Sequence, residues 1–72
     1  MMIKPPRDVM IGGRLRCERE RCEYSIRDVV ALTGISRSLI AGYEVGVYRI
    51  PDEKLQVFAD LYGFSVDWIK EA

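Results

Sequence analysis

The chain has 72 residues, enough for one small domain of modest stability, because a chain this short buries only about 60% of its unfolded surface. Its formal net charge is zero, and 49% hydrophobic and 31% charged residues are typical of a globular protein with a folded core. No apolar run approaches the roughly 20 residues that span a bilayer and residues 1–7 lack the apolar stretch of a signal peptide, so we expect a cytoplasmic protein without a membrane partner.

Two prolines keep residues 1–7 extended as an N-terminal arm, and the domain itself is predicted over residues 8–72. Asp8 is predicted to cap a first helix that runs to about Cys22. Two adjacent glycines, Gly12 and Gly13, each weaken this helix by about 1 kcal/mol relative to alanine.

The two cysteines, Cys17 and Cys22, lie in one helical stretch. At about 100° per residue they are roughly 140° apart around the helix, so they should not bond to each other. The sequence has no histidine, and a tetrahedral zinc site would need two more soft ligands. We therefore expect free thiols, no metal site and no cofactor.

A second helix is predicted over Ile26–Thr33. Ser25 can cap it, and Asp28, three residues later, can reach back to Ser25 as in a capping box. Gly34 ends the helix, because glycine adopts a left-handed backbone conformation without steric cost. A tight turn at residues 33–35 follows.

A third helix is predicted from about Arg37 to Val45, with Ser36 as its cap and Gly46 at its end. Ile40 and Tyr43 point back to the core. Two capped helices joined by so short a turn must cross at a steep angle. This is the helix-turn-helix arrangement, whose second helix can enter a DNA major groove.

The last third of the chain predicts two more helices. Pro51 precedes a fourth helix over about residues 53–62, which ends at Gly63. Ser65 caps a short fifth helix over Val66–Lys70. No strand pattern or repeat is visible, so the fold class is all-α.

The charges are unevenly distributed along the chain. Residues 1–21 carry six Lys or Arg and three acids, a net charge of +3, whereas residues 50–72 carry two Lys and five acids, a net charge of −3. This polarity can orient the domain on DNA with the basic end inward. The alternative is that the charges only solvate helix surfaces.

Six fragments of the sequence carry a family resemblance by their order and spacing over about residues 10–70. They are Ile11-Gly12-x-x-Leu15-Arg16-x-x-Arg19, Ser25, Thr33-Gly34-Ile35-Ser36-Arg37-Ser38, Tyr43-Glu44-x-Gly46, Pro51 and Ser65-Val66-Asp67-Trp68-Ile69. The set resembles the Cro/repressor-type helix-turn-helix family, often called XRE-like. The resemblance implies a five-helix, lambda-repressor-like domain that binds double-stranded DNA, often as a homodimer on two half-sites, with no small-molecule ligand.

The resemblance also implies contacts within the fold. Members often hold an arginine of the first helix against the glutamate of the Tyr-Glu pair, here Arg19 and Glu44, which accounts for a charge on the inward stripe of the first helix. The fifth helix closes the core in this family, so Trp68 is expected to pack near Leu55 and Phe58. A homodimer is expected through the fifth helix, with Val66 or Ile69 at the contact.

The third helix and its flanks are predicted to contact DNA. Arg37 suits bidentate contact with guanine, and Ser36 and Ser38 can bond to a phosphate or a base. Ala41 can touch a thymine methyl group, and Gly42 permits close approach. Arg14 or Arg16 would assist at phosphates. The full set of predicted DNA-binding residues is Ser25, Arg27, Ser36, Arg37, Ser38, Ala41, Gly42, Tyr48 and Arg49, the last two as phosphate contacts.

Apolar residues at several positions keep a second interpretation open. The family usually has Gln where Ile26 stands, and Leu39, Ala41, Val45 and Val47 occur where polar or basic residues are common. This pattern favours a helix-turn-helix module that binds another regulator instead of DNA. An enzyme is not expected, since the chain has no histidine and no pair of carboxylates placed for acid–base chemistry.

Overall fold

A computed structural model describes residues 6–71 as an all-helical domain, and residues 1–5 of the predicted arm lie outside the described part. No strand occurs among the described residues, and none of their helices has the length and apolar character needed to cross a membrane. The predicted all-α, five-helix fold is confirmed. The helices are α1 (Arg7–Arg21), α2 (Ile26–Thr33), α3 (Arg37–Val45), α4 (Asp52–Tyr62) and α5 (Val66–Lys70).

Helix α1 begins earlier than the sequence predicts. Its N-cap is Pro6, in an extended conformation with φ −52° and ψ 148°, and the Pro6 carbonyl accepts the first helical hydrogen bond, 3.0 Å from the Met10 nitrogen. The prediction of Asp8 as the cap is therefore wrong. Asp8 lies in the first turn of the helix, where its negative charge is favourable next to the helix dipole.

Serines cap the three helices for which the sequence predicts them. The hydroxyl oxygens of Ser25, Ser36 and Ser65 accept hydrogen bonds from backbone N–H groups three residues on, at 3.0, 3.2 and 3.4 Å. Each such cap contributes about 1 kcal/mol to helix stability. Local sequence therefore fixes where these three helices start.

The core is built around α1, which packs most extensively on α3 and also contacts α4 and α5. Phe58 lies at its centre, with its ring stacked 5.8 Å from that of Tyr62 and edge-on to Tyr43 at 6.3 Å. Both cysteines are free, as predicted. The largest fully buried side chains are Phe58, Leu15, Ile40, Leu55, Ile69 and Val29.

Trp68 is not a core residue, and the prediction that its ring packs near Leu55 and Phe58 in the core is wrong. Its side chain is 44% exposed, whereas the next residue, Ile69, is fully buried. Consecutive helical residues point about 100° apart, so only one of the two can face the core of a five-residue helix. The same burial means that Ile69 is not free to form the predicted dimer contact.

The indole of Trp68 instead lies beside Phe64 and Arg14. Its ring centroid is 6.3 Å from that of Phe64, and the Arg14 guanidinium carbon lies 5.6 Å from it. Arg14 also donates a hydrogen bond to the Trp68 carbonyl oxygen at 3.0 Å. The end of α5 is thus attached to α1 by a cation–π contact and a hydrogen bond.

Candidate nucleic-acid interface

The turn between α2 and α3 is fixed by its own side chains. Gly34 adopts the left-handed conformation with φ 74°, and its N–H donates to the Val30 carbonyl oxygen at 2.9 Å. The Thr33 hydroxyl donates to the Val29 carbonyl at 2.7 Å and accepts from the Ile35 N–H at 3.1 Å. The Thr33 hydroxyl bond to the turn was not predicted, although a threonine before a turn glycine is the signal that points to it.

The start of α2 carries the complete capping box. Asp28 Oδ2 accepts from the Ser25 backbone N–H at 2.9 Å while the Ser25 hydroxyl accepts from the Asp28 N–H. The Ser25 backbone N–H and, to a smaller extent, the Ser25 hydroxyl hold the pKa of the Asp28 carboxyl below its ordinary value. Because the carboxylate is engaged with Ser25, it is held in place at the helix start beside the exposed Arg27.

One face of α3 is left uncovered by the rest of the domain. Ile40, Tyr43 and Glu44 are buried against the rest of the domain. Apart from Leu39, which is 36% exposed, the uncovered positions follow the helical spacing i, i+1, i+4 and i+8, so they lie within a sector of about 100°. We call this sector the α3 stripe; its residues are Arg37, Ser38, the half-buried Ala41, and Val45.

The charge on this surface is positive although the whole chain is neutral. Asp28 and Glu44 are the acids of α2 and α3, and they are engaged with Ser25 and Arg19 respectively. Within residues 6–71, no salt bridge involves the guanidinium of Arg27 or Arg37. Because Glu44 is paired with Arg19, the two arginines outnumber the remaining acid, Asp28, and this face carries one excess positive charge.

The serine hydroxyls beside these arginines also remain able to act as donors. Ser36 Oγ accepts from the Leu39 N–H, and this bond uses an oxygen lone pair and leaves the hydroxyl hydrogen free. Ser38 is exposed next to Arg37. The beginning of α3 thus presents a guanidinium and hydroxyl groups side by side.

Gly42 does not lie open to solvent, which corrects its predicted role in approach to DNA. It is buried, and a Cβ at this position would collide with the ring of Tyr48. The absence of a side chain therefore admits the tyrosine ring onto α3. Tyr48 remains about half exposed, and it precedes the exposed Arg49 in the chain.

A buried ion pair holds α3 against α1. Arg19 Nε and Nη2 donate to the two carboxylate oxygens of Glu44 at 2.7 and 2.9 Å, and Nη1 donates to the Tyr24 carbonyl at 2.7 Å. Both charged residues are less than 10% exposed. The hydrogen bond to Glu44 raises the pKa of Arg19, so the guanidinium stays charged at any physiological pH. The structure thus contains the pair that the resemblance implies.

Gly12 lets the two helices approach closely beside this ion pair. A Cβ on Gly12 would collide with the backbone carbonyl groups of Tyr43 and Glu44. The neighbouring Gly13 faces open space, with no atom within 4 Å of a Cβ built there. Only the first of the two glycines is therefore required by the packing of α1 on α3.

The two arginines predicted to assist at phosphates have other partners. Arg14 contacts α5, as described above, and Arg16 Nε forms an ion pair with Glu20 Oε1 at 3.2 Å. Of the remaining predicted residues, Ser25, Arg27, Ser36, Arg37, Ser38 and Arg49 are exposed, and Ala41 is half-buried.

A family model described as a helix-turn-helix domain matches residues 11–71, which include α2, the turn and α3. The chain belongs to the helix-turn-helix domain family, and its motifs place it in the XRE-like group. This helix-turn-helix protein also superposes on the crystal structure of the DNA-binding domain of BldD with a TM-score of 0.80 and 22% identity. The match covers 93% of this chain and 97% of that one.

At 22% identity, the likeness to the BldD domain establishes only the fold of this helix-turn-helix protein. No curated protein gives a significant match to the sequence. The interpretation of the surface therefore depends on the side chains of this chain, above all on the α3 stripe and the exposed arginines beside it.

Proposed function

We propose that this protein is a sequence-specific, DNA-binding transcriptional regulator of the Cro/repressor type, with α3 in the major groove. The observation that carries the proposal is the α3 stripe: an exposed helix face, with Arg37 and Ser38 at its start, held rigidly from behind by the Arg19–Glu44 pair. Recognition of bases requires an exposed helix face on a rigid scaffold, because contacts to base edges form only when the helix is held in a defined position in the groove.

Base recognition would centre on the start of α3. Arg37 is the stripe's long donor side chain, and a guanidinium matches the two acceptors of guanine in the major groove. Ser38 can bond to a base or a phosphate, and Ala41 can contact a thymine methyl group. The C-terminal half of the stripe, with Val45, offers no hydrogen bonds to base edges, so we expect few specified base pairs in each half-site.

Phosphate contacts would come from the flanks of the stripe. The starts of α2 and α3 present backbone N–H groups and the positive ends of helix dipoles, which suit anions. Arg27, Arg49 and Tyr48 are exposed around them. We expect about two to four neutralised phosphates for each half-site, and hence a salt slope of about −2 to −4 per half-site, shallower than that of strongly basic repressors.

Arg37→Ala should lower the affinity for a selected operator by about 1–3 kcal/mol and relax the preference at one base pair, because it removes a base contact. Arg49→Ala should instead weaken binding to all sequences alike, because phosphates carry no sequence information. The measurement is a binding titration at two salt concentrations, on an operator selected from a random duplex pool and on the same operator with single base changes.

Arg16→Ala is the matched control, since this arginine is paired with Glu20 on α1 and should leave DNA affinity unchanged. If Arg37→Ala leaves both affinity and base preference intact, α3 does not read DNA and the proposal fails. The proposal would also fail if the selection recovers no preferred sequence from the random duplex pool.

A specific observation favours the second candidate, a module that binds another regulator. Leu39, Val45 and Val47 are 36%, 61% and 70% exposed, which is unusual for large apolar side chains next to a DNA-reading surface. The other apolar positions count less, since Ile26 packs against the core and Ala41 is half-buried. Two results together would support this function: the wild-type chain binds no DNA, and Val47→Asp abolishes its binding to a partner protein.

We infer that the protein acts as a homodimer, because one domain covers one half-site and two-fold symmetry would place two α3 helices about one DNA turn apart. The exposed Trp68 is a better centre for that contact than the buried Ile69. Trp68→Ala should raise the dimer dissociation constant at least tenfold in sedimentation equilibrium, whereas Leu32→Ala, an exposed leucine on α2, should not. A wild-type chain that stays monomeric at high concentration, with and without DNA, would contradict the dimer.

This function needs no catalytic group, cofactor, metal or small-molecule ligand. We infer a cytoplasmic location, because the proposed partner is double-stranded DNA. We propose no catalytic role, which agrees with membership of the helix-turn-helix domain family.

A further inference from the structure

A cleft of about 220 Å³ opens where α1 and α4 begin and α5 ends. Its floor is apolar, formed by isoleucine and leucine side chains of the core. Three cationic residues line it, together with two carboxylates, so the lining carries one excess positive charge. The charged residues are Arg7, Arg49, Lys70, Asp8 and Asp52.

The charges in this cleft are not evenly paired. Lys70 Nζ donates to Asp52 Oδ1 at 2.8 Å. This hydrogen bond holds the pKa of Asp52 below its ordinary value, and the nearby charges of Arg49 and Arg7 lower it further. Within residues 6–71, neither arginine comes within salt-bridge distance of a carboxylate. Two guanidinium groups therefore share the cleft without a direct acidic partner.

The cleft borders the surface that would face DNA. Arg49 lies in the segment that follows α3, only four residues after Val45. The beginning of α1 is also brought to this place, because Val9 packs directly on Gly46 at the end of α3. Arg7 is thus far from the α3 stripe in sequence but next to its C-terminal end in space.

We propose that Arg7 and Arg49 together bind one DNA backbone phosphate beside the groove that α3 enters, and that Asp52, held by Lys70, limits the strength of that contact. This inference rests on the proposed function. It adds Arg7 to the phosphate-binding residues and assigns an opposing charge to Asp52. The Asp52 carboxylate pairs with Lys70 and with neither guanidinium among the described residues, yet its charge still opposes the phosphate.

Loss of either arginine should weaken binding to all sequences about threefold to tenfold and reduce the salt slope by about 1. Asp52→Asn should strengthen binding at least threefold, because a negative charge leaves the phosphate site. Glu53→Gln is the matched control: it removes the same charge one residue further along α4, outside the cleft, and should change the affinity less than twofold at physiological salt, where screening is strong.

Lys70 provides a further test of the same arrangement. Lys70→Met should weaken binding, because the released Asp52 carboxylate can then pair with the arginines. In the Asp52→Asn background the same change should have a much smaller effect. These variants change exposed or partly exposed side chains, and circular dichroism with thermal unfolding verifies that each one is folded.

The two proposals fail in different ways. If the wild-type chain binds no DNA, the proposed function is wrong. If the wild type binds and Arg37→Ala behaves as expected, but Asp52→Asn matches Glu53→Gln or Arg7→Ala leaves the salt slope unchanged, the phosphate cleft is wrong while the function stands.

Discussion

Arg19→Met should lower the free energy of unfolding by about 3–5 kcal/mol, measured by chemical denaturation. The substitution leaves the Glu44 carboxylate buried without its cation and removes the donor to the Tyr24 carbonyl. A chain of 72 residues has a total stability of only about 4–11 kcal/mol. This one change therefore removes a large part of what keeps the domain folded.

A double-mutant cycle separates the ion pair from other effects of the substitution. Arg19→Met combined with Glu44→Met should be more stable than Arg19→Met alone, because no buried charge is left unpaired. Arg16→Met is the control on the same helix: its exposed pair with Glu20 should be worth about 0.3–0.5 kcal/mol. Additive effects at positions 19 and 44 would show that the two side chains do not act as a pair.

Gly12→Ala should also destabilise the protein, by about 1–3 kcal/mol or more. The added methyl group would collide with the backbone carbonyl groups of Tyr43 and Glu44. These backbone atoms cannot move aside, whereas the end of a flexible side chain can. Helices α1 and α3 would have to separate. The measurement is the denaturation midpoint, with a two-dimensional NMR spectrum to locate the shift along α3.

Gly13→Ala is the matched control for this substitution. It makes the same chemical change one residue away, where a Cβ meets no atom within 4 Å. Alanine should stabilise α1 there by about 0.5–1 kcal/mol, because it reduces the conformational freedom of the unfolded chain. Equal effects at the two positions would mean that close packing of α1 on α3 is not the reason for Gly12.

The helices of this domain were predictable because local chemistry determines them. A serine that accepts a backbone hydrogen bond starts α2, α3 and α5, and a glycine with positive φ ends α2 and α3. These signals act over three or four residues and are readable without any tertiary structure. Helix α1 was misplaced at its start because Pro6 caps it without a side-chain hydrogen bond.

Tertiary contacts were harder to predict. Trp68 and Ile69 are adjacent apolar residues, and the sequence pattern does not indicate which of them faces the core. The Tyr48 ring covers Gly42, and this contact depends on the path of the loop after α3. The spacing of apolar residues describes one helix at a time. It therefore does not predict contacts that depend on how two helices pack against each other.

The candidate site was predicted in part. Arg37, Ser38 and Arg49 are exposed where the sequence placed them. The sequence predicts Arg7 in an extended arm, whereas in the structure it begins α1 and lines a cleft together with Arg49. Residues separated by 42 positions in the chain come together through the packing of α1 on α3, which no local pattern contains.

The α3 stripe and the positions that hold α3 against α1 are different residues. Arg37, Ser38 and Val45 are exposed, whereas Gly12, Arg19 and Glu44 hold α3 against α1. Substitutions on the stripe can therefore accumulate at little cost in stability. A descendant of this chain could acquire a new operator within a few exposed changes, while the residues that fix the helix in place remain under a separate constraint.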